Sequence, residues 1–228
     1  ASALVSAMTP ENGKEWFLKW EAVLSKGLNV TTLDPDGSGL PWINPAKPTP
    51  SRGYGFQDGE YMSGDVLYSS ILFWNATRIL ADLYDSAGPS FAARASKLRL
   101  QAEHVREQIS AELWNDKLGA FVAATELESD RISVWGNAFA GASGLANTSQ
   151  SAAIFALFKN READIFWEGQ VRQTPAPNFW DSTASVPNNI MSTDGPNYYG
   201  DGGYAGTPLH HVLPFIGQYD HDMACRLL

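Results

Sequence analysis

Carboxylates in the connecting segments are the residues of this sequence best suited to do chemistry. Asp58 ends an aromatic and glycine-rich stretch, residues 53–58, which lies shortly before a strongly apolar segment. Apolar surroundings raise the pKa of a carboxylic acid, and a raised pKa suits a proton donor. Asp58 is therefore the first candidate for an acid/base catalyst, although capping of a helix or binding of a sugar hydroxyl explains it equally well.

Cleavage of a glycosidic bond by inversion needs a second carboxylate, about 6.5–9.5 Å from the first. Two distant residues qualify as that partner. Glu168 precedes a Gly-Gln-Val-Arg segment, and Asp201 lies among glycines that allow close approach of a ligand to the backbone. Asp65 is interpreted as a helix cap, because a negative charge is favourable near the start of a helix.

Aromatic residues are abundant, with 8 Trp, 8 Tyr and 11 Phe. Flat apolar rings with polar edges suit the faces of sugar rings. Arg172 is expected to bind either a substrate hydroxyl or a protein carboxylate. Of the adjacent His210 and His211, only one can face a cleft, because neighbouring helix positions point about 100° apart. The predicted substrate-binding residues are Trp42, Phe56, Trp135, Arg172, Trp180, Tyr199, Tyr204 and His210.

Composition excludes several classes of function. The net charge of -9 over 228 residues disfavours nucleic acid as a partner, because polyanions are repelled. No apolar run reaches the roughly 18 residues of a membrane span. We expect no metal site and no cofactor, since the usual ligand spacings, the P-loop and the dinucleotide-binding motif are absent from the sequence.

The elements that must position these residues are predicted to be helices. The first should begin at Thr9-Pro10, with Phe17, Trp20 and Leu24 on one face, and should stop near Gly27. Residues 29–54 form a long loop. Residues 66–84 are apolar around the whole helical wheel and predict a helix buried on all faces, whereas residues 91–113 carry one apolar stripe and predict an outer helix with a wet side.

The second half continues with shorter elements. Residues 135–145 predict a small-residue helix able to pack closely, and Thr148 or Ser149 is expected to cap a helix that reaches Lys159. Residues 204–219 and 220–228 predict the last two helices, whereas residues 168–203 show no helical period. Short strands are expected near residues 120–125 and 170–174.

A buried helix followed by a one-sided helix is what two concentric helical layers require. The sequence therefore predicts an all-α fold, an (α/α) toroid of helical hairpins within a single domain, 1–228, with an ordinary helical bundle as the alternative. About seven helices are too few to close such a ring. We expect the chain to be a fragment or processed product, completed by another chain or a longer precursor.

Five segments in matching order resemble the six-hairpin glycosidase-like superfamily. They are residues 53–65, 113–125, 134–138, 169–180 and 198–208. The resemblance implies that loops preceding the inner helices gather at one end and form a sugar site containing Asp58, Trp135 and Tyr204. It also implies that carboxylates in such loops act as acid or base, or bind the sugar.

Three functions follow from these residues. The first is a glycoside hydrolase acting on an oligosaccharide or polysaccharide through acid/base carboxylates. The second is a non-catalytic carbohydrate-binding or structural member, because Ser133 and Val134 stand where many related sequences carry an acid. The third is a polysaccharide lyase or sugar epimerase in which His210 or Tyr204 abstracts a proton.

Glycosylation sequons bear on where the protein acts. Asn29, Asn75 and Asn147 each begin an Asn-X-Ser/Thr triplet, the acceptor pattern of secreted proteins. Asn29 and Asn147 are the predicted glycosylation sites, and an extracellular location is expected.

Overall fold

The computed structural model describes residues 8–46, 62–126, 129–175 and 203–228, which form an all-α fold. The described residues contain eight α-helices and one short 3-10 helix, Pro89–Phe91, which leads into α3. The α-helices are α1 Pro10–Asn29, α2 Leu67–Ala87, α3 Ala92–Leu113, α4 Val134–Ser143, α5 Thr148–Asn160, α6 Glu162–Ile165, α7 Leu209–Gly217 and α8 His221–Arg226.

Short antiparallel strands of two or three residues join these helices. Within the described ranges they form three small sheets, β1–β2, β3–β4 and β5–β6–β7. The strands near residues 120 and 170 confirm the two strand predictions. The strands are β1 Trp42–Ile43, β2 Gly64–Asp65, β3 Trp114–Asn115, β4 Ala120–Phe121, β5 Phe166–Trp167, β6 Gln170–Arg172 and β7 Tyr204–Ala205.

The start of α1 follows the sequence prediction. The Thr9 side chain accepts a hydrogen bond from the Asn12 backbone N–H, with Pro10 in the first turn. The predicted stop at Gly27 is wrong, because the helix runs on to Asn29. Trp20 is also more exposed than predicted, at 43%, whereas Phe17 is buried.

Helix α2 lies between α1, α3 and α4. Most of its residues are buried, but Leu72 and Ala76 are exposed and Ile79 is half-buried. The prediction of a helix buried on all faces is therefore wrong, because this stripe borders an open groove against α1 and Arg78 and Asp82 are exposed as well.

Helices α3 to α5 reproduce the predicted alternation of layers. Helix α3 buries one stripe that includes Ala102, Val105 and Ile109, whereas α4 buries every residue from Val134 to Gly141. Helix α5 again buries one side. A mostly buried helix thus alternates with a one-sided helix, as the sequence pattern indicates.

Two helix ends differ from the sequence predictions. The cap of α5 is Asn147, whose side chain and that of Gln150 form a reciprocal capping box, so neither Thr148 nor Ser149 caps the helix. The last pair of helices is shorter than predicted, because residues 204–205 form β7 and Asp220 caps α8 through the Met223 N–H.

Helices α4 and α7 pack closely against each other. Gly141 of α4 lies against the buried ring of Phe215, and a Cβ at this position would overlap the ring. The prediction that a small-residue helix packs closely is confirmed here. This contact belongs to the main hydrophobic core, which also includes Phe139, Phe158 and Val212.

Candidate functional site

The segments preceding three helices of the main core lie side by side. The first turn of α2 is joined to the segment after β4 by the Leu67 N–H, which donates to the Ala123 carbonyl at 3.0 Å. The first turn of α4 is joined to the end of β6 by the Val134 N–H, which donates to the Gln173 carbonyl at 2.8 Å. Strand β6 pairs in turn with β7, which precedes α7. The starts of α2, α4 and α7 therefore share one end of the fold.

Aromatic side chains gather at this end. Tyr68 of α2, Phe139 of α4 and His211 of α7 form a ring cluster. The Phe139 and His211 rings are stacked, with centroids 4.1 Å apart and planes 17° apart, and the Tyr68 and Phe139 centroids are 5.5 Å apart. Burial and, to a smaller extent, the neighbouring His210 together lower the pKa of His211 to about 4. His211 is therefore neutral near pH 7 and can donate or accept one hydrogen bond.

The structure distinguishes the two adjacent histidines. His211 turns inward onto Phe139, whereas His210 is exposed, with its Nδ1 2.6 Å from the Thr207 carbonyl oxygen. The role of the exposed His210 as a substrate ligand stays a prediction. His211 lies one helical turn before the buried Phe215, and that spacing of four residues is the signal that identifies the inward-facing ring.

Trp135 and Trp42 occupy different surroundings. Trp135 lies in the first turn of α4 and is buried, with 6% exposure. Trp42 lies on β1 opposite Asp65 and is half-buried. Trp135 shares the end of the fold defined by β6, while Trp42 belongs to the segment that leads into α2.

The three-stranded sheet presents one face to the core and one away from it. Phe166, Val171 and Ala205 are paired across the sheet, and Phe166 and Val171 are buried. Side chains alternate along a strand, so the neighbouring residues lie on the outer face. That outer face carries Trp167, Gln170, Arg172 and Tyr204.

Asp164 holds both Arg172 and Tyr204 in place. The Arg172 guanidinium donates to Asp164 Oδ1 at 2.7 Å and lies 4.8 Å from the centre of the Tyr204 ring. The Tyr204 hydroxyl donates to the Asp164 carbonyl at 2.9 Å. The sequence expectation that Arg172 pairs with a carboxylate is confirmed, and the pairing leaves its binding to substrate a prediction.

Glu168 lies at the tip of the β5–β6 hairpin and is exposed. Its φ of 44° and the Gly169 φ of 71° match a two-residue turn with both central residues in the left-handed region. The turn alone explains this backbone conformation. The catalytic role of Glu168 stays a prediction, and Asp58, Asp201, Phe56, Trp180 and Tyr199 lie outside the described residues.

Asp65 is the described carboxyl group whose pKa is raised. Burial is the main cause, and the carboxylates of Asp34 and Glu112 add to it against the lowering effect of a hydrogen bond from Ser38, so that the pKa of Asp65 is about 6. The Ser38 hydroxyl donates to Asp65 Oδ1 at 3.2 Å. The interpretation of Asp65 as a helix cap is wrong, because Val66 is the N-cap residue of α2 and Asp65 Oδ1 is bonded to Ser38.

The described residues bear on two predicted absences, that of a metal site and that of a membrane span. Within residues 8–46, 62–126, 129–175 and 203–228, no group of three or more His, Cys, Asp or Glu side chains is arranged to hold a metal ion. In the same ranges no helix is both long enough and apolar enough to cross a membrane.

Asn29 at the end of α1 and Asn147 at the start of α5 are exposed, so both predicted glycosylation sites are accessible.

Comparison with known proteins finds a distant structural neighbour. No family model matches the sequence, and no curated protein matches it. Among solved structures, the chain is similar to the neutral trehalase from Saccharomyces cerevisiae, with 14% sequence identity and a TM-score of 0.49. The match covers 76% of this chain and 31% of the trehalase, so the chain spans about a third of that protein's length.

Proposed function

We propose that this chain is part of a carbohydrate-active protein whose sugar site lies where α2, α4 and α7 begin. The observation that carries the proposal is the position of β6. Gln173, the residue that follows this strand, bonds to the first turn of α4, which holds Trp135, and Arg172 of the strand pairs with Tyr204 of β7. Three residues predicted from the sequence to contact sugar are thereby brought to one end of the fold.

The chemistry of this end favours a neutral sugar. Aromatic rings offer flat faces for the C–H groups of a pyranose, and neutral His211 offers a hydrogen bond without a charge. The net charge of -9 opposes binding of polyanionic sugars. A neutral oligosaccharide or polysaccharide is therefore the proposed ligand.

Glycoside hydrolysis is the proposed activity, with Asp58 as the acid/base catalyst and Glu168 or Asp201 as its partner. Release of reducing sugar from a panel of neutral oligosaccharides tests this activity. We expect Asp58→Asn to lower turnover by about 10²–10⁴-fold while the protein stays folded. Glu107→Gln is the matched control, because Glu107 is exposed on the outer helix α3, and it should leave turnover unchanged. Equal turnover in wild type and Asp58→Asn would remove Asp58 from the mechanism.

Non-catalytic carbohydrate binding is the second candidate, favoured by the carboxylates of the described residues. Asp65 has the raised pKa that suits a proton donor, but it is bonded to Ser38, and Glu168 lies at an exposed turn. Oligosaccharide binding without any hydrolysis would select this candidate. Intact mass and gel filtration should first show that the protein tested is a single intact chain. Accumulation of unsaturated or isomerised sugars would instead select a lyase or an epimerase.

A further inference from the structure

The outer face of the β5–β6–β7 sheet extends the proposed site, because Arg172 and Tyr204 share this face with Trp167 and Gln170, which have no role so far. We call Trp167, Gln170, Arg172 and Tyr204 the Trp167 platform, after the residue that is most exposed. Trp167 is 54% exposed, although a large aromatic ring is costly to leave in water. Its ring centroid lies 5.9 Å from that of Tyr204, at an angle of 50°.

The platform is rigid behind its exposed ring. The Arg172 side chain is only 11% exposed and is bound to Asp164, which also pairs with Arg161 at 2.5 Å. The Tyr204 ring is fixed by its hydroxyl and by the guanidinium above it. A ligand that binds here meets a surface already ordered, which lowers the entropic cost of binding.

A cavity of about 400 Å³ opens beside Trp167. It is lined by Trp167, which it shares with the platform, by Phe166 and Glu168, and by the ion pair between Glu162 and Arg226, whose atoms are 3.2 Å apart. The volume lies within the range of small-ligand sites, roughly 300–1,000 Å³. A lining that combines aromatic rings with carboxylate acceptors fits a ligand ring that has C–H groups on its faces and hydroxyls on its edge.

We infer that the Trp167 platform is a sugar subsite, in which Trp167 stacks on one pyranose ring of a neutral oligosaccharide. The Glu168 carboxylate accepts hydrogen bonds from its hydroxyls, and the Gln170 amide, which faces the same side, can donate or accept. Arg226 offsets the charge of Glu162, so the Glu168 carboxylate gives the lining a net negative charge that opposes uronic acids and favours a neutral sugar. The ligand class rests on the proposed function, whereas the position rests on the geometry of the sheet.

Isothermal titration of the intact chain with cellohexaose, maltohexaose and chitohexaose tests the subsite, with hexagalacturonate as the charged comparison. We expect Trp167→Ala to weaken binding of the preferred neutral hexasaccharide about tenfold, and Trp167→Phe to retain most of it. Trp20→Ala is the matched control, because Trp20 is comparably exposed, at 43%, but lies on α1. Circular dichroism and Tm should show that all three variants fold like the wild type.

The outcomes separate this inference from the proposed function. Unchanged affinity in Trp167→Ala, together with loss of turnover in Asp58→Asn, would overturn the subsite and leave the proposed function standing. Absence of binding to every hexasaccharide overturns the subsite, and absence of hydrolysis in addition overturns the proposed activity. Preference for hexagalacturonate, or equal weakening in Trp167→Ala and Trp20→Ala, would likewise contradict a neutral-sugar subsite at this sheet.

Discussion

Two helix junctions in this molecule each contain a glycine, but they differ in whether a side chain would fit there. At the junction of α4 and α7, Gly141 touches the Phe215 ring so closely that no Cβ fits. At the junction of α1 and α2, a Cβ at Gly27 would meet nothing within 4 Å, and an apolar groove of about 420 Å³ lies open. The comparison teaches that glycine is required by packing at the first junction and is free to change at the second.

The open groove also explains why α2 departs from its sequence pattern. Its apolar lining comes from both helices and includes Leu24, Leu28, Leu72 and Ile79. The pattern of residues 66–84 predicts burial on all sides, yet Leu72 is 42% exposed because no described element covers that stripe. The closed and open junctions should therefore respond differently to the same kind of substitution.

The largest contrast is expected for truncation of large apolar residues. Phe215→Ala removes a fully buried ring and leaves a cavity, so the free energy of unfolding should fall by about 3–5 kcal/mol. Leu72→Ala in the open groove should cost less than about 1 kcal/mol, since Leu72 is already partly in contact with water. Urea denaturation of both variants measures the difference. Similar losses would show that the groove is filled in solution.

Gly141→Ala tests the closed junction without removing any group. The added methyl forces α4 away from Phe215, and overpacking of this kind costs about 1–3 kcal/mol. Alanine has the higher helix propensity, so a purely local effect would have the opposite sign. If Gly141→Ala leaves the free energy of unfolding unchanged or raises it, the α4–α7 contact is looser than the structure indicates.

The two regions should also differ in their response to pH. His211 lies at the closed junction with a folded-state pKa of about 4, below its ordinary value of 6.5. The unfolded chain therefore binds the proton more readily, and stability is lost as pH falls from about 6.5 towards 4. Asp65, before α2, has a folded-state pKa of about 6, above its ordinary 3.8, so stability is lost as pH rises from about 4 to 6.

Single variants separate these two contributions in urea denaturation from pH 4 to pH 8. Asp65→Asn should be more stable than the wild type above pH 6, by on the order of 1–2 kcal/mol, because it buries no charge and keeps a bond to Ser38. His211→Gln should flatten the fall in stability below pH 6.5. Parallel pH profiles for wild type and either variant would show that the group concerned is not shielded from water in the folded protein.

The fold was more predictable than the candidate site because its signals are local. The Thr9 cap, the stripe of α3 and the small residues of α4 each follow from neighbours within a few turns. The Trp167 platform requires the pairing of β6 with Tyr204, more than thirty positions along the chain, and no local pattern encodes that register.

The errors made from the sequence have the same cause. A cap at Thr148 is as plausible locally as the one at Asn147, and only the side-chain bonds distinguish them. Burial of Leu72 depends on whether another element covers its stripe, which the helix itself cannot specify. The sequence alone does not identify Trp167 as an exposed residue, because an exposed tryptophan and a core tryptophan have the same appearance in a short strand.

The smallest expected effect tests the open junction most directly. Gly27→Ala should raise the free energy of unfolding by about 0.5 kcal/mol, because alanine favours the helix and the methyl enters empty space. The sign is opposite to that expected for Gly141→Ala, so the pair forms a matched test by urea denaturation. If Gly27→Ala is destabilising instead, the groove holds an occupant that the methyl displaces. A midpoint that then depends on protein concentration would identify a second copy of this chain as that occupant.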